Sequence, residues 1–374
     1  MNNWISRNRK QILQIHKVLG LATGIVVFIV SITGCLWVFQ EEIKNLTSEE
    51  MVIEPSDRLI LTATQAKTIA QKTIPDKSIH GVLFSIENDP VEVIFYEAEP
   101  EFYQSVFIHP YTHEVIRVED HKSGFFAFVL EGHMRLWLPK AIGARLVQYS
   151  ILFFLIILIS GLFLWWPKNK KVLKKRLKFD WKNTTKWRRK NFDLHSVVGF
   201  YVGSLAFVLA FTGCVMAFDW FYYITYKTTG GIKDPRFIIP NNNVIDENNT
   251  YQVTLDDLVP RLKNEYPEAI SFELHYPHSD TTCVYVETTY NQGVHYNVDY
   301  LFFDQNTLEE IETPSIYGKY QNAGFADTII RMNYDVHVGE IGGIWGKIIA
   351  FLVSLITATL PVSGFLLWYG KKNK

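Results

Sequence analysis

The segment His16–Phe39, HKVLGLATGIVVFIVSITGCLWVF, returns 179 residues later as His195–Phe218, HSVVGFYVGSLAFVLAFTGCVMAF. Aligned without a gap, the copies share the histidine, two glycines (Gly20/Gly199 and Gly24/Gly203), the Thr-Gly-Cys triplet (33–35 and 212–214) and a closing phenylalanine. A repeat of this length makes the chain a duplicated unit. Each copy holds an uncharged apolar run, Val18–Phe39 and Val197–Phe218. At ~1.5 Å per helical residue, either run can cross a hydrocarbon core of ~30 Å. On a helix the histidine, the glycines and the residues at 27/206 and 31/210 form one stripe of small side chains. Such a stripe admits a neighbouring helix or lets a flat cofactor lie against the backbone, and the stripe alone leaves both readings open.

Two further uncharged apolar runs, Leu146–Trp166 and Ile348–Tyr369, bring the number of expected spans to four. The chain is 48% hydrophobic, so membrane and aqueous parts are mixed within it, and its net charge of −1 hides a strong asymmetry. Between Trp166 and Asn191 stand twelve Lys/Arg and a single acid, Asp180; Arg7, Arg9 and Lys10 precede the first span, and Lys371, Lys372 and Lys374 follow the last. Short basic loops stay inside, so the termini and the middle loop are expected in the cytoplasm. The first apolar run exceeds a signal-peptide core and lacks a small-x-small cleavage site, and it is read as an uncleaved anchor. Three cysteines without a CxxC or CxxCH spacing argue against zinc ribbons, Cys-ligated clusters and covalent c-type haem.

The regions between spans read as two copies of a small α+β module. In the first, a Thr-capped helix over 61–74 precedes strand-like runs at 80–87, 91–97, 104–109 and 114–119. In the second, a helix over 254–266 precedes strands at 269–276 and 281–289 and the run LFFDQNTLEEI. The expected organisation is 1–40 as N-terminus and first span, 41–123 as first module, and 124–167 as a His133 segment and second span. The basic loop follows over 168–194, the third span over 195–218, a connector and second module over 219–325, and a His337 segment, fourth span and C-terminus over 326–374. The exit spans also match, SGLFLWWP (160–167) with SGFLLWYG (363–370).

Four histidines are matched by the repeat. His16 and His195 fall at the inner ends of their spans; His133 and His337 fall on the outer side, before the returning spans. If the halves are related by an axis along the membrane normal, each pair is a pair of symmetry mates. Two facing imidazoles without a matched Cys, Asp or Glu suit a six-coordinate b-type haem, whereas zinc wants three or four protein ligands. The plain alternative makes each histidine an interfacial residue bonded to a carbonyl or headgroup. His109/His113 and His275/His278 lack counterparts, and His80, His121 and His295 are read as surface or turn residues. Arg135 and Arg331 lie close enough in sequence to the outer histidines to meet haem propionates, or else are interfacial anchors.

With HKVLG…TG, the lone histidine before SGLFLWWP, LHSVVGF…TG and the D-x-x-T-type turn of the modules, the chain resembles the PepSY-associated transmembrane helix family over nearly its whole length. The resemblance implies an α-helical membrane protein with α+β periplasmic domains: four transmembrane helices as two parallel pseudo-two-fold repeats, each with a PepSY-like module between its helices. It implies two b-type haems with His16, His133, His195 and His337 as axial ligands. Because His16 and His195 run straight into their spans, the inner haem is expected to be walled by Gly20, Gly24, Gly199 and Gly203. The usual acidic turn residue is His109 in the first module and Asp304 in the second. The expected function is electron transfer across a bacterial inner membrane, from a quinol or cytoplasmic reductase to a ferric siderophore or other ferric chelate, with no nucleic acid involved. The rival is a membrane-anchored PepSY binding or protease-regulating protein without redox activity. A transporter is disfavoured, since no expected span has an ionisable residue at its middle.

Overall fold

The computed structural model describes residues 2–47, 53–54, 60–85, 89–167, 172–173, 176–243, 254–277 and 279–372. In chain order its helices are α1 (Asn2–Trp37), α2 (Gln40–Thr47), α3 (Ala63–Thr73), α4 (Gly124–Arg135), α5 (Lys140–Trp165), α6 (Trp187–Asp193), α7 (Gly199–Ala217), α8 (Asp219–Thr228), α9 (Leu258–Glu265), α10 (Phe325–Arg331), α11 (Asn333–Val338) and α12 (Gly343–Lys372). The strands are β1 (Ile79–Ser85), β2 (Val91–Ala98), β3 (Glu101–Ile108), β4 (Val115–Asp120), β5 (Ser271–His275), β6 (Val284–Thr289), β7 (Asp299–Phe303) and β8 (Glu310–Ile311). They divide between two compact units, one of residues 1–44, 125–222 and 333–374, the other of 45–124 and 223–332.

The first unit is helical. Four stretches are long and apolar enough to cross a membrane: Arg7–Trp37, Lys140–Trp165, Trp187–Ala217 and Glu340–Gly370. All four begin earlier than the hydropathy runs alone suggest, so His16 and His195 lie within spans rather than at their mouths. The third is α6 and α7 joined by a π-turn over Leu194–Val198 that contains His195. Such turns interrupt helices mainly where a side chain must be re-aimed for a purpose. The bundle's apolar seams are small, as where Val27 and Ala210 pack with Phe154, Leu155 and Cys214. Cys35 and Cys214 are buried there as free thiols, in keeping with their size. Arg176 turns back to donate to the carbonyls of Leu164, Trp165 and Trp166, closing the end of α5 and giving the described part of the basic loop a structural duty.

In the second unit the strands of the two expected modules are joined edge to edge. Its eight antiparallel strands form one sheet in the order β4-β3-β2-β1-β5-β6-β7-β8. The seam is β1 against β5, from Gly81 opposite His275 to Ser85 opposite Ser271. Joining there removes an exposed edge from each four-stranded half, which is a sufficient physical reason for the merger. One face is apolar and packed by α3 and α9, with Ala66, Ala70, Leu258 and Leu262 against Val82, Phe95, Phe272 and Phe303. The expected capping of α3 is present: Thr62 Oγ1 accepts from Gln65 N and the Gln65 side chain accepts from Thr62 N. The module turns also agree in role. Asp304 Oδ1 accepts from the backbone of Asn306 and Thr307, and His109 Nδ1 accepts from Tyr111 and Thr112. A histidine therefore does the turn-closing work of the carboxylate. The connector begins as helix α8 rather than irregular chain, and Phe237 beyond it packs on Tyr285, Tyr300 and Phe302. Residues 244–253 of the connector lie outside the described residues.

Candidate functional site

Each of the four repeat-matched histidines is seated by an adjacent hydroxyl and glycine on another helix. His16 Nδ1 meets Ser160 Oγ at 2.9 Å and the Ile157 carbonyl at 3.1 Å. His195 Nδ1 meets Ser363 Oγ at 2.8 Å. On the other pair, His133 Nδ1 lies 3.0 Å from the Val30 carbonyl and 3.3 Å from Thr33 Oγ1, and His337 Nδ1 lies 3.1 Å from the Leu209 carbonyl and 2.9 Å from Thr212 Oγ1. In all four the contact is to Nδ1, and where a carbonyl is the partner Nδ1 must carry the proton. Among the described residues nothing hydrogen-bonds any of the four Nε2 atoms, so the tautomer that these seats select presents Nε2 as a lone-pair donor.

The glycine next to each hydroxyl makes room for the ring. A Cβ at Gly161 or Gly364 would stand 3.3 Å from Cε1 of His16 or His195; at Gly34 it would stand 3.1 Å from Cε1 of His133, and at Gly213 3.4 Å from Cε1 of His337. These Ser-Gly and Thr-Gly pairs, parts of SGLFLWWP, SGFLLWYG and the two TGC triplets, are thus the histidine seats. The sequence displayed them as repeat markers, but their partners become evident only when neighbouring helices are known.

The histidines come together in the expected pairs. The His16 and His195 ring centroids are 6.3 Å apart, and those of His133 and His337 are also 6.3 Å apart. A metal bound ~2 Å from a nitrogen of each of two imidazoles separates the centroids by roughly 6 Å, so either pair fits two axial ligands of one iron. Along α1 the seats are about 26 Å apart, the rise over 17 residues from His16 to Thr33. His133 and His337 ride on the short helices α4 and α11 and meet their seats about one turn before the ends of α1 and α7. The α4–α5 corner holds Leu136 and Trp137 at positive φ, 56° each, strain of the kind concentrated at ligand-holding sites. Trp137 Nε1 ties the corner to the Phe128 carbonyl at 2.8 Å.

The chain matches the PepSY-associated TM region over residues 13–371. It belongs to that family. No curated protein sequence gives a match. For this PepSY-associated chain the match and the four apolar helices establish a multi-pass membrane protein.

The remaining expected site residues fare differently. Around Gly20 and Gly203 a Cβ would meet nothing within 4 Å, whereas Gly24 faces Pro361 at 3.4 Å and Gly199 faces Leu360 at 3.7 Å. Two of the four wall glycines thus border open space and two are helix-packing positions. Arg331 is withdrawn as a propionate partner: it is buried in the sheet unit, donating to the carbonyls of Val298, Gly318 and Ile316. Arg135 is ion-paired with Glu131 one turn back on α4. The sequence reading missed Lys347, which is 5% exposed and reaches Glu340 at 2.6 Å, Glu42 at 2.8 Å and Glu41 at 3.7 Å. The signal available was a lone lysine just ahead of the fourth apolar run.

Proposed function

We propose that this protein carries electrons across a bacterial inner membrane through two b-type haems, one held by His16 and His195 and the other by His133 and His337. The observation that carries the reading is the fourfold recurrence of one arrangement: an imidazole fixed through Nδ1 by a hydroxyl, seated on a glycine, and facing its mate at a ring separation suited to axial ligation. Bound there, haem supplies reversible one-electron chemistry at iron. The chain's own residues fix the tautomer, hold the rings in place and exclude water. Within each half the seats are exchanged. At the inner site the first membrane helix gives the histidine and the second gives the Ser-Gly seat; at the outer site the first gives the Thr-Gly seat and the segment before the second gives the histidine.

The N-terminus, the basic loop and the C-terminus face the cytoplasm in this reading, and the sheet unit lies in the periplasm as a pair of PepSY-like modules related, like the spans, by a pseudo-two-fold axis. The electron donor is a quinol or a cytoplasmic reductase. The acceptor is a ferric siderophore or other ferric chelate, whose hold on iron weakens on reduction, and it takes electrons from the outer site. A stopped-flow experiment tests this: protein reduced beforehand and mixed with a ferric chelate should reoxidise, and His337→Ala should abolish chelate-driven reoxidation of the remaining haem. Undiminished reoxidation in that variant means that the outer site is not the exit.

A further inference from the structure

Opposite its helix-covered face, the sheet carries a second cluster of ligand-type side chains that the membrane histidines do not involve. The geometry points to a binding site for one divalent transition-metal ion on His80 of β1 and Glu273 and His275 of β5, across the seam between the two halves of the sheet. The donor atoms of these three side chains lie within 4.8 Å of one another. Metal bonds of ~2.0–2.2 Å place donors up to roughly 4 Å apart, so loading draws the side chains together by a fraction of an ångström.

Three features show a built site. First, His275 is 3% exposed, and among the described residues neither ring nitrogen has a hydrogen-bond partner. Its Nε2 is 3.3 Å from Glu273 Oε1 and 3.5 Å from Glu287 Oε1, close but unbonded, and a buried polar group left in this way calls for an explanation. Second, β1 is bulged at His80. Ile79 stands opposite Phe95 and Gly81 opposite Ile94, so one extra residue is inserted in β1. Strict alternation would turn His80 toward the apolar core. The bulge turns it over instead, bringing its ring 4.8 Å from that of His275, a recognised use of bulges. Third, Gly81 opposite His275 leaves the space the site needs, since a Cβ there would stand 3.2 Å from His275 Nδ1 and 3.3 Å from Glu273 Oε1. Tyr285 stacks on the His275 ring at 4.1 Å and 8°, fixing its plane.

Two imidazoles and a carboxylate suit zinc, ferrous iron or manganese better than calcium or magnesium, which take oxygen ligands. Glu287 is placed to approach the ion or to orient His275. This site is independent of the haem reading, and its test separates the two. Full-length protein, purified with its haem and cleared of loose metal by a chelator, is dialysed against micromolar Zn2+ and its zinc measured per chain. We expect one zinc lost, or affinity lowered at least tenfold, in each of His80→Asn, Glu273→Gln and His275→Gln, with His109→Asn unaffected and the haem spectrum unchanged throughout. His275→Gln alters a buried position; His80→Asn and Glu273→Gln, at partly exposed positions, carry the test if that variant does not fold. Zinc affinity unaltered in either of those two variants, or no zinc bound by the unsubstituted protein, overturns the assignment.

Discussion

The inner and outer histidine pairs reach the same ring separation by different routes. His16 and His195 are part of the membrane helices themselves, one on an uninterrupted α-helix and the other on a π-turn. His133 and His337 are delivered by short helices that dock onto the Thr-Gly seats from outside. The inner site is therefore fixed by the bundle, while the outer site depends on the corners that hold α4 and α11 down. The second corner is Gly339, at φ 86°, in such close contact with Gly346 that a Cβ at 346 would fall 2.0 Å from the Gly339 carbonyl oxygen. Asn333 Nδ2 donates to the Thr212 carbonyl at 3.1 Å, a further tie between α11 and its seat. A site built into spans tolerates little but needs no further support; a docked site adds points at which it can be loosened without disturbing the other.

The contrast is broken most directly at the ligands. His195→Ala should remove the inner haem and leave the outer, and His133→Ala the reverse, each halving the pyridine-haemochrome signal per chain. Loss of both from a folded variant contradicts their independence. Crowding the seats comes next: Gly34→Val and Gly364→Val should each lower occupancy of the adjoining site at least tenfold, because the nearest ring sits on a helix and cannot retreat. Lys347→Met comes third. It leaves Glu340 and Glu42 without their buried partner, which costs about 3–5 kcal/mol, and thermal melts followed by haem absorbance should show the outer site released before the inner one. Removing a seat hydroxyl should do less. Thr212→Val and Ser363→Ala should weaken the corresponding site by about tenfold, the low end for residues that orient a ligand, with a change in the reduction potential of that site alone.

Much of this was legible in the chain. The four histidines and their pairing followed from the repeat, because matched positions in duplicated spans come together as mates. The Ser-Gly and Thr-Gly seats were visible as matched motifs, but a sequence does not say which helices are neighbours. Two modules were expected and a single sheet was found, since strand alternation reports which face of a strand is buried and not what pairs with its edge. His80 was read as a surface or turn residue because a bulge shifts the face of a side chain without altering the local pattern. His278, which with His275 flanks Pro277 and has no counterpart in the first module, lies outside the described residues. Arg331 was misjudged because proximity in sequence to His337 says nothing of the carbonyls that surround it.

The smallest expected effect serves as a control on the comparison. Asp327 in the sheet unit is buried, which raises a carboxyl's pKa, yet the Gly324 N–H, the Tyr226 hydroxyl and Lys233 outweigh burial and hold it below its ordinary value. A carboxyl depressed in the folded state contributes fully above about pH 4, its unfolded value, and loses that contribution as pH falls through the lower folded value. Asp327→Asn should therefore destabilise the sheet unit by about 1–3 kcal/mol at neutral pH and by progressively less below pH 4, while both haems stay bound. Chemical denaturation followed by tyrosine and tryptophan fluorescence at the two pH values measures it.

The central claim of the proposed function is that each histidine pair holds a haem. Purified from haem-replete cells, the protein should contain two haems per chain, with the dithionite-reduced spectrum of bis-histidine b-type haem, and one haem per chain in His195→Ala. A colourless, folded preparation from the same cells contradicts it.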